Sequence, residues 1–163
     1  MSPRPEKDVL LSHLAAQRRH IRKALEGLTD EQLLAAPLPS GWSVIALIHH
    51  LAVDDEMFWF RCVLGADEAA IAALDGDGWK PPAGLSPRDV LTLYDTQAEQ
   101  ADRVLATLDL DEAPAWWPDD VFGAWRLGSA REVLLHALTE ISCHAGHLDA
   151  AVELLDGRQH LVL

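Results

Sequence analysis

Four stretches of the chain repeat apolar residues at the spacing of an α-helix. The first, residues 6–28, carries apolar side chains on one face and basic side chains on the other. The second is predicted to span residues 44–64, because Ser43 is a favourable N-cap and Gly65 is a favourable C-terminal stop. Both helices are long enough to pack side by side.

The two remaining stretches have equally clear ends. The third begins with Ser86 as N-cap and Pro87 in the first helical position, and it runs to about residue 108. The fourth spans residues 130–156, between a capping box at Ser129 and a terminal glycine at 157. Four long helices joined by long crossover connections predict an all-α four-helix bundle.

The connecting segments contain shorter elements. A capping box at Thr29 predicts a short helix that Pro37 must end, and a second short helix is expected near residues 67–74. Residues 109–128 are predicted to form a loop, although they hold half of the tryptophans. This loop either packs over the end of the bundle or lines a pocket, and its aromatic residues are Trp116, Trp117, Phe122 and Trp125.

Composition narrows the class of protein. The chain has 163 residues, which suits a single domain over residues 1–163. Its formal net charge of −13 argues against nucleic acid and anionic membranes as partners. The longest uncharged run, residues 33–53, is broken by proline and glycine, so no membrane span is expected. With no signal-peptide pattern at the start, we expect a cytoplasmic protein.

The fourth helix carries a carboxylate and an imidazole on one face. Glu140 and His144 are four residues apart, about 40° on a helical wheel, at the edge of the apolar stripe. An ionised carboxylate buried there needs a partner. The candidates are His50, which would complete a two-histidine, one-carboxylate metal site, and Arg61, which would form a salt bridge. Spacing alone leaves both open.

On a helical wheel, the side chains of the second long helix fall on two faces. His50 falls on the inward face with Leu47, Asp54 and Phe58, whereas His49 falls toward a flank that carries Val53, Glu56 and Phe60. We expect His49 and His136 to be structural residues rather than metal ligands.

Other polar side chains have candidate roles with structural alternatives beside them. Asp54, one turn after His50, could accept a hydrogen bond from the free ring N–H of that histidine, or it could face Arg61. His147 could line the pocket as a general acid or base, or it could be a surface histidine.

Two separated motifs, in the correct order, resemble those of the DinB-like superfamily and most closely its branch related to mycothiol-dependent maleylpyruvate isomerase. The similarity runs from the first helix to Gly157. It rests on Gly41-Trp42-Ser43, on His49-His50-Leu51-Ala52 with Glu56 and Trp59, and on His136-x3-Glu140-x3-His144-Ala145-Gly146-His147.

The resemblance implies a metal site made by His50, Glu140 and His144, with zinc as the first candidate and nickel or iron behind it. It also implies mycothiol as a cofactor, a small-molecule substrate and a possible homodimer. We expect His147 and Asp54 to serve catalysis, and Trp125 and Arg61 to contact the cofactor. The isomerases have an additional C-terminal domain that this chain of 163 residues lacks, so we do not expect maleylpyruvate as substrate.

These features favour a thiol-dependent metalloenzyme, in which a metal-bound thiolate attacks a small electrophile and leads to sulfur transfer or isomerisation. Two alternatives remain at this point. A metal-bound water would instead give a small hydrolase, and a structural or absent metal would leave a non-enzymatic stress-response bundle.

Overall fold

The computed structural model describes residues 4–74 and 76–160, and within these ranges the chain forms helices and no strand. The prediction of an all-α fold is therefore confirmed. The predicted domain of residues 1–163 also includes positions outside the described ranges. The elements are α1 (Glu6–Leu25), α2 (Asp30–Leu34), α3 (Val44–His50), a π-helical continuation π1 (Leu51–Leu64), α4 (Glu68–Ala72), α5 (Pro87–Thr107), α6 (Asp119–Phe122) and α7 (Ala130–Asp156).

The helix-start signals act as the sequence predicts. The side-chain oxygens of Thr29, Ser43 and Ser86 each accept a hydrogen bond from a backbone N–H in the first turn of the helix that follows. At the end of α7, Gly157 takes the left-handed conformation, with φ of 77°. These caps explain why the predicted and observed ends of the later helices agree closely.

One predicted boundary is wrong, and one short helix was not predicted. Helix α1 ends at Leu25 rather than near residue 28, since the chain turns at Gly27, whose φ is +79°. The segment predicted as a loop contains α6, a helix of four residues that follows Pro118. A single helical turn has too few residues to show a period in the sequence.

The second long helix changes its hydrogen bonding at Leu51. From there to Leu64 the backbone follows the i→i+5 pattern of a π-helix. The period of an α-helix therefore assigns the wrong face to several side chains beyond this point. Glu56 and Phe60, predicted on the flank with His49, are both 0% exposed, and His49 is also buried.

The helix π1 lies at the centre of the bundle and packs against both α5 and α7. Helix α5 lies along π1 and α3, while α7 packs against α1 and π1. Fully buried residues such as Ile21, Leu47 and Leu148 form one continuous hydrophobic core between them. None of the described helices combines the length and the hydropathy that crossing a bilayer requires.

An ion pair lies inside this core. The Arg18 guanidinium of α1 donates from Nε to the Glu56 carboxylate of π1 at 2.7 Å and from Nη1 to Asp102 of α5 at 2.6 Å. Glu56 is completely buried, whereas Asp102 reaches solvent. Burial raises the pKa of Glu56, and the hydrogen bond and charge of Arg18 act in the opposite direction.

The aromatic segment between α5 and α7 folds back onto the bundle. Trp117 is buried, and the Phe122 ring stacks on Trp59 of π1 with centroids 5.8 Å apart and planes 12° apart. Val121 and Phe122 also line a cleft. The segment therefore both packs over the bundle and forms one wall of a pocket.

Candidate functional site

Two imidazoles face each other between the second and the last long helices. His50, the final residue of α3, and His144 of α7 bring their Nε2 atoms to 3.1 Å. At most one of two such nitrogens can carry a proton toward the other, so at least one lone pair points into the space between them.

Asp54 fixes the tautomer of His50. Its Oδ2 atom lies 2.6 Å from His50 Nδ1, and a carboxylate only accepts, so Nδ1 carries the proton. In the neutral ring the Nε2 lone pair then points toward His144. Of the two predicted contacts for Asp54, the structure shows the one with His50.

Arg61, the predicted alternative partner, is engaged elsewhere. Its Nη2 donates to Asp67 at 2.5 Å and its Nη1 donates to Gln97 at 2.6 Å. It is not among the residues that line the cleft beside the imidazoles. The structure therefore does not bring Arg61 to Glu140 or to the histidine pair.

His144 is held in its neutral form. Burial, followed by the nearby imidazoles of His50 and His147, lowers its pKa to about 4. His147 itself is exposed, and its Nδ1 lies 3.5 Å from His144 Nδ1. A neutral His144 has a ring nitrogen available as a ligand at neutral pH.

Glu140 lies at the rim of the cleft, with a side chain that is 44% exposed. Its Oε2 atom is 4.0 Å from His144 Nε2, so the predicted pairing on α7 is present. The expectation that this carboxylate is buried is wrong, because the site opens to solvent on that side.

The buried carboxylate next to the histidines is Asp55, which the sequence analysis did not identify. It is 2% exposed, and its Oδ2 atom lies 4.0 Å from His50 Nε2. Ligand atoms of His50, Asp55 and His144 all lie within 4.8 Å of one another. Burial first, then the charges of neighbouring carboxylates, raise the pKa of Asp55 well above its usual value.

Trp79 covers the histidine pair from the loop between α4 and α5. Its indole stacks on His50, with centroids 4.2 Å apart and planes 18° apart. The preceding residue, Gly78, holds the loop in place, since its carbonyl accepts a hydrogen bond from His49 Nδ1 at 2.7 Å. No spacing in the sequence pointed to this contact, which depends on how an irregular loop folds back.

Two clefts meet at Asp54 and Phe58. The smaller, of about 280 Å³, is lined by the carboxylates of Asp54, Asp55 and Glu140 and by aromatic residues of π1 and α6. The larger, of about 930 Å³, extends toward α5 and the loop before it. Trp125 packs behind Phe122 and His136, two of the residues that line the smaller cleft, with ring centroids 5.2 Å and 5.4 Å away.

These features define a four-helix-bundle protein with a candidate metal site between its second and last long helices. The chain belongs to the mycothiol-S-transferase family, whose model matches residues 9–157. Membership confirms the resemblance to the mycothiol-related DinB-like branch and indicates a mycothiol-related, thiol-dependent function. No curated protein matches the chain.

Proposed function

We propose that the protein is a metal-dependent enzyme that uses mycothiol as a metal-bound nucleophile on a small electrophilic substrate. The product would be a sulfur conjugate or an isomer of the substrate. His50, Glu140 and His144 would hold a divalent ion, with zinc as the first candidate and nickel or iron(II) as the others. Family membership supports the thiol, and the site geometry supports the ion.

The observation that carries the proposal is the pair of facing Nε2 atoms at 3.1 Å. Two nitrogen ligands on one tetrahedral ion are about 3.3 Å apart when each metal–nitrogen bond is about 2.0–2.1 Å. The carboxylate oxygen of Glu140 lies 4.0 Å from His144 Nε2 on an exposed side chain, which would turn toward the pair to bind the same ion. The donors present thus fit a first-row divalent ion.

A divalent ion in this position would bind the thiol sulfur and keep it as a thiolate at neutral pH. The residues of the chain provide the surroundings. Asp54 orients His50 through Nδ1, and Trp79 shields that ring from water. We assign proton exchange with the substrate to the exposed His147, whose Nδ1 lies 3.5 Å from His144 Nδ1.

The two clefts offer separate places for two reactants. We assign the larger cleft to the body of the thiol because its volume of about 930 Å³ suits a ligand of that size. The smaller, aromatic cleft would hold the electrophile beside the histidine pair. Trp125 remains a predicted cofactor contact at the outer edge of the aromatic wall. Arg61 could contact the thiol only by giving up its hydrogen bond to Gln97.

Removing the metal tests this function. We expect isothermal titration calorimetry to show mycothiol binding to protein loaded with the metal that elemental analysis identifies, and none after chelation. The protein should be prepared without a histidine tag. Equal heats of mycothiol binding before and after chelation would contradict the proposal, and thiol-independent ester hydrolysis would favour a hydrolase instead.

The substitution Gly78→Ala should weaken metal binding without unfolding the chain. The added Cβ would collide with the carboxylate of Asp54, the end of a flexible side chain, so the chain still folds but Asp54 leaves His50. Loss of such a hydrogen bond to a metal-binding histidine weakens metal affinity by about 10- to 100-fold. Competition with a coloured chelator measures the change.

The matched control is Gly146→Ala on α7. A Cβ there meets no described atom of a packing neighbour within 4 Å, and alanine is favoured over glycine inside a helix. This variant should keep the metal affinity of the unaltered protein. An unchanged affinity in Gly78→Ala would show that Asp54 does not support the metal site.

A further inference from the structure

Asp55 holds a buried oxygen for which the described part of the chain provides no partner. The side chain is 3% exposed, and Oδ2 is inaccessible to solvent and makes no hydrogen bond with any described residue. Buried carboxylate oxygens are nearly always paired in native proteins. A buried carboxylate oxygen without a hydrogen-bond partner indicates that a bound ligand supplies the missing interaction.

The described cation of the core near Asp55 already forms ion pairs with other carboxylates. Arg18, the buried guanidinium of the core, is paired with Glu56 and Asp102. The other charged groups that act on Asp55 are the carboxylates of Glu56, Glu140 and Asp54, all of the same sign. The closest described nitrogen in a salt-bridge contact is His50 Nε2, at 4.0 Å. A core ion pair therefore does not account for the position of Asp55.

The π-helix explains why two consecutive acids contact one imidazole. The i→i+5 pattern places Asp55, the fifth residue after His50, near the helix face that carries His50. Asp54, the fourth residue, then lies on the other side of the imidazole ring. Asp54 consequently contacts Nδ1, whereas Asp55 faces Nε2, the atom that points to His144. The two carboxylates of π1 bracket the ring.

We propose that Asp55 is itself a ligand of the metal ion, so that the donor set consists of two imidazoles and the carboxylates of Asp55 and Glu140. Each imidazole has one of these carboxylates beside it: Asp55 Oδ2 is 4.0 Å from His50 Nε2, and Glu140 Oε2 is 4.0 Å from His144 Nε2. This assignment rests on the metal site of the proposed function and adds a ligand to it.

A second carboxylate ligand changes the net charge of the metal site and the hardness of its ligand set. Two carboxylates neutralise a divalent ion, and carboxylate oxygens are harder ligands than imidazole. One of them, Asp55, is buried in the core, while Glu140 lies at the exposed rim. Asp55 would therefore stay on the ion, and Glu140 is the carboxylate that can move when a thiol enters.

The test is metal binding by Asp55→Asn, a change that keeps the side-chain volume. Cobalt(II) serves as the probe, because its absorption bands report ligand type and number. We expect at least a 10-fold loss of affinity and a changed spectrum. Asp54→Asn is the matched comparison, since that residue contacts the remote ring nitrogen. It should lose affinity while keeping the spectrum of the unaltered protein.

Thermal melting provides a second measurement, and its metal-free part does not depend on metal affinity. Without metal, Asp55→Asn should melt at or above the temperature of the unaltered protein, because a crowded buried carboxylate has been removed. With cobalt, it should gain less than the unaltered protein does. An unchanged spectrum and affinity in Asp55→Asn would overturn this inference alone. Failure of the unaltered protein to bind any divalent ion would overturn it together with the metal of the proposed function.

Discussion

Replacing Arg18 with methionine should lower the free energy of unfolding by about 3–5 kcal/mol, because the variant leaves a buried carboxylate without its counter-charge. Glu56 is completely buried, and both of its oxygens accept hydrogen bonds from Arg18. Methionine fills a similar length of core but offers no donor. Urea denaturation followed by circular dichroism measures the change.

The double variant Arg18→Met/Glu56→Leu is the control for this prediction. It removes both charges and should recover much of the lost stability, since a buried ion pair replaced by apolar residues is often neutral. Asp102, which also accepts from Arg18, is largely exposed and returns to water at little cost. If Arg18→Met costs less than about 1 kcal/mol, the pair is not a desolvated ion pair.

Replacing His144 with alanine should weaken zinc binding by at least about 100-fold, which is more than the loss expected for a residue that only supports a ligand. The substitution removes one of the two facing Nε2 atoms and leaves His50 with carboxylates alone. The zinc-dependent rise in melting temperature should disappear in the same variant.

The matched control is His20→Ala. His20 also pairs its Nε2 with a carboxylate, Asp149, at 2.8 Å, but the pair lies between α1 and α7 away from the clefts at Asp54. This variant should bind zinc as the unaltered protein does. Equal zinc affinity for the His144 and His20 variants would exclude His144 as a ligand.

The fold was largely predictable because its helices carry their own boundary signals. Ser43, Ser86 and Ser129 each cap the helix that the sequence assigned to them, and Gly157 ends α7. The exceptions are local. One turn of helix at α6 is too short for periodicity, and the end of α1 depends on a glycine turn rather than on the apolar pattern.

The candidate site was predictable only in part. The facing of His50 and His144, and the contact of Asp54 with His50, agree with the wheel analysis because they use residues before or just beyond the change of helix type. The helical wheel did not identify Asp55, because a period of 3.6 residues per turn places residue i+5 about 140° away from residue i. The stacking of Trp79 on His50 is a long-range contact, for which a helical wheel carries no information.

The π-helical segment also determines how this site responds to insertions and deletions in the chain. Point substitutions change one donor at a time and leave the others in place. Deletion of one residue between Leu51 and Leu64 would instead favour a return to α-helical register, in which consecutive acids no longer bracket His50. The length of this segment, rather than any single side chain, thus keeps Asp54 and Asp55 on opposite sides of one ring, and a shortened segment would move the Asp55 carboxylate away from His50 Nε2.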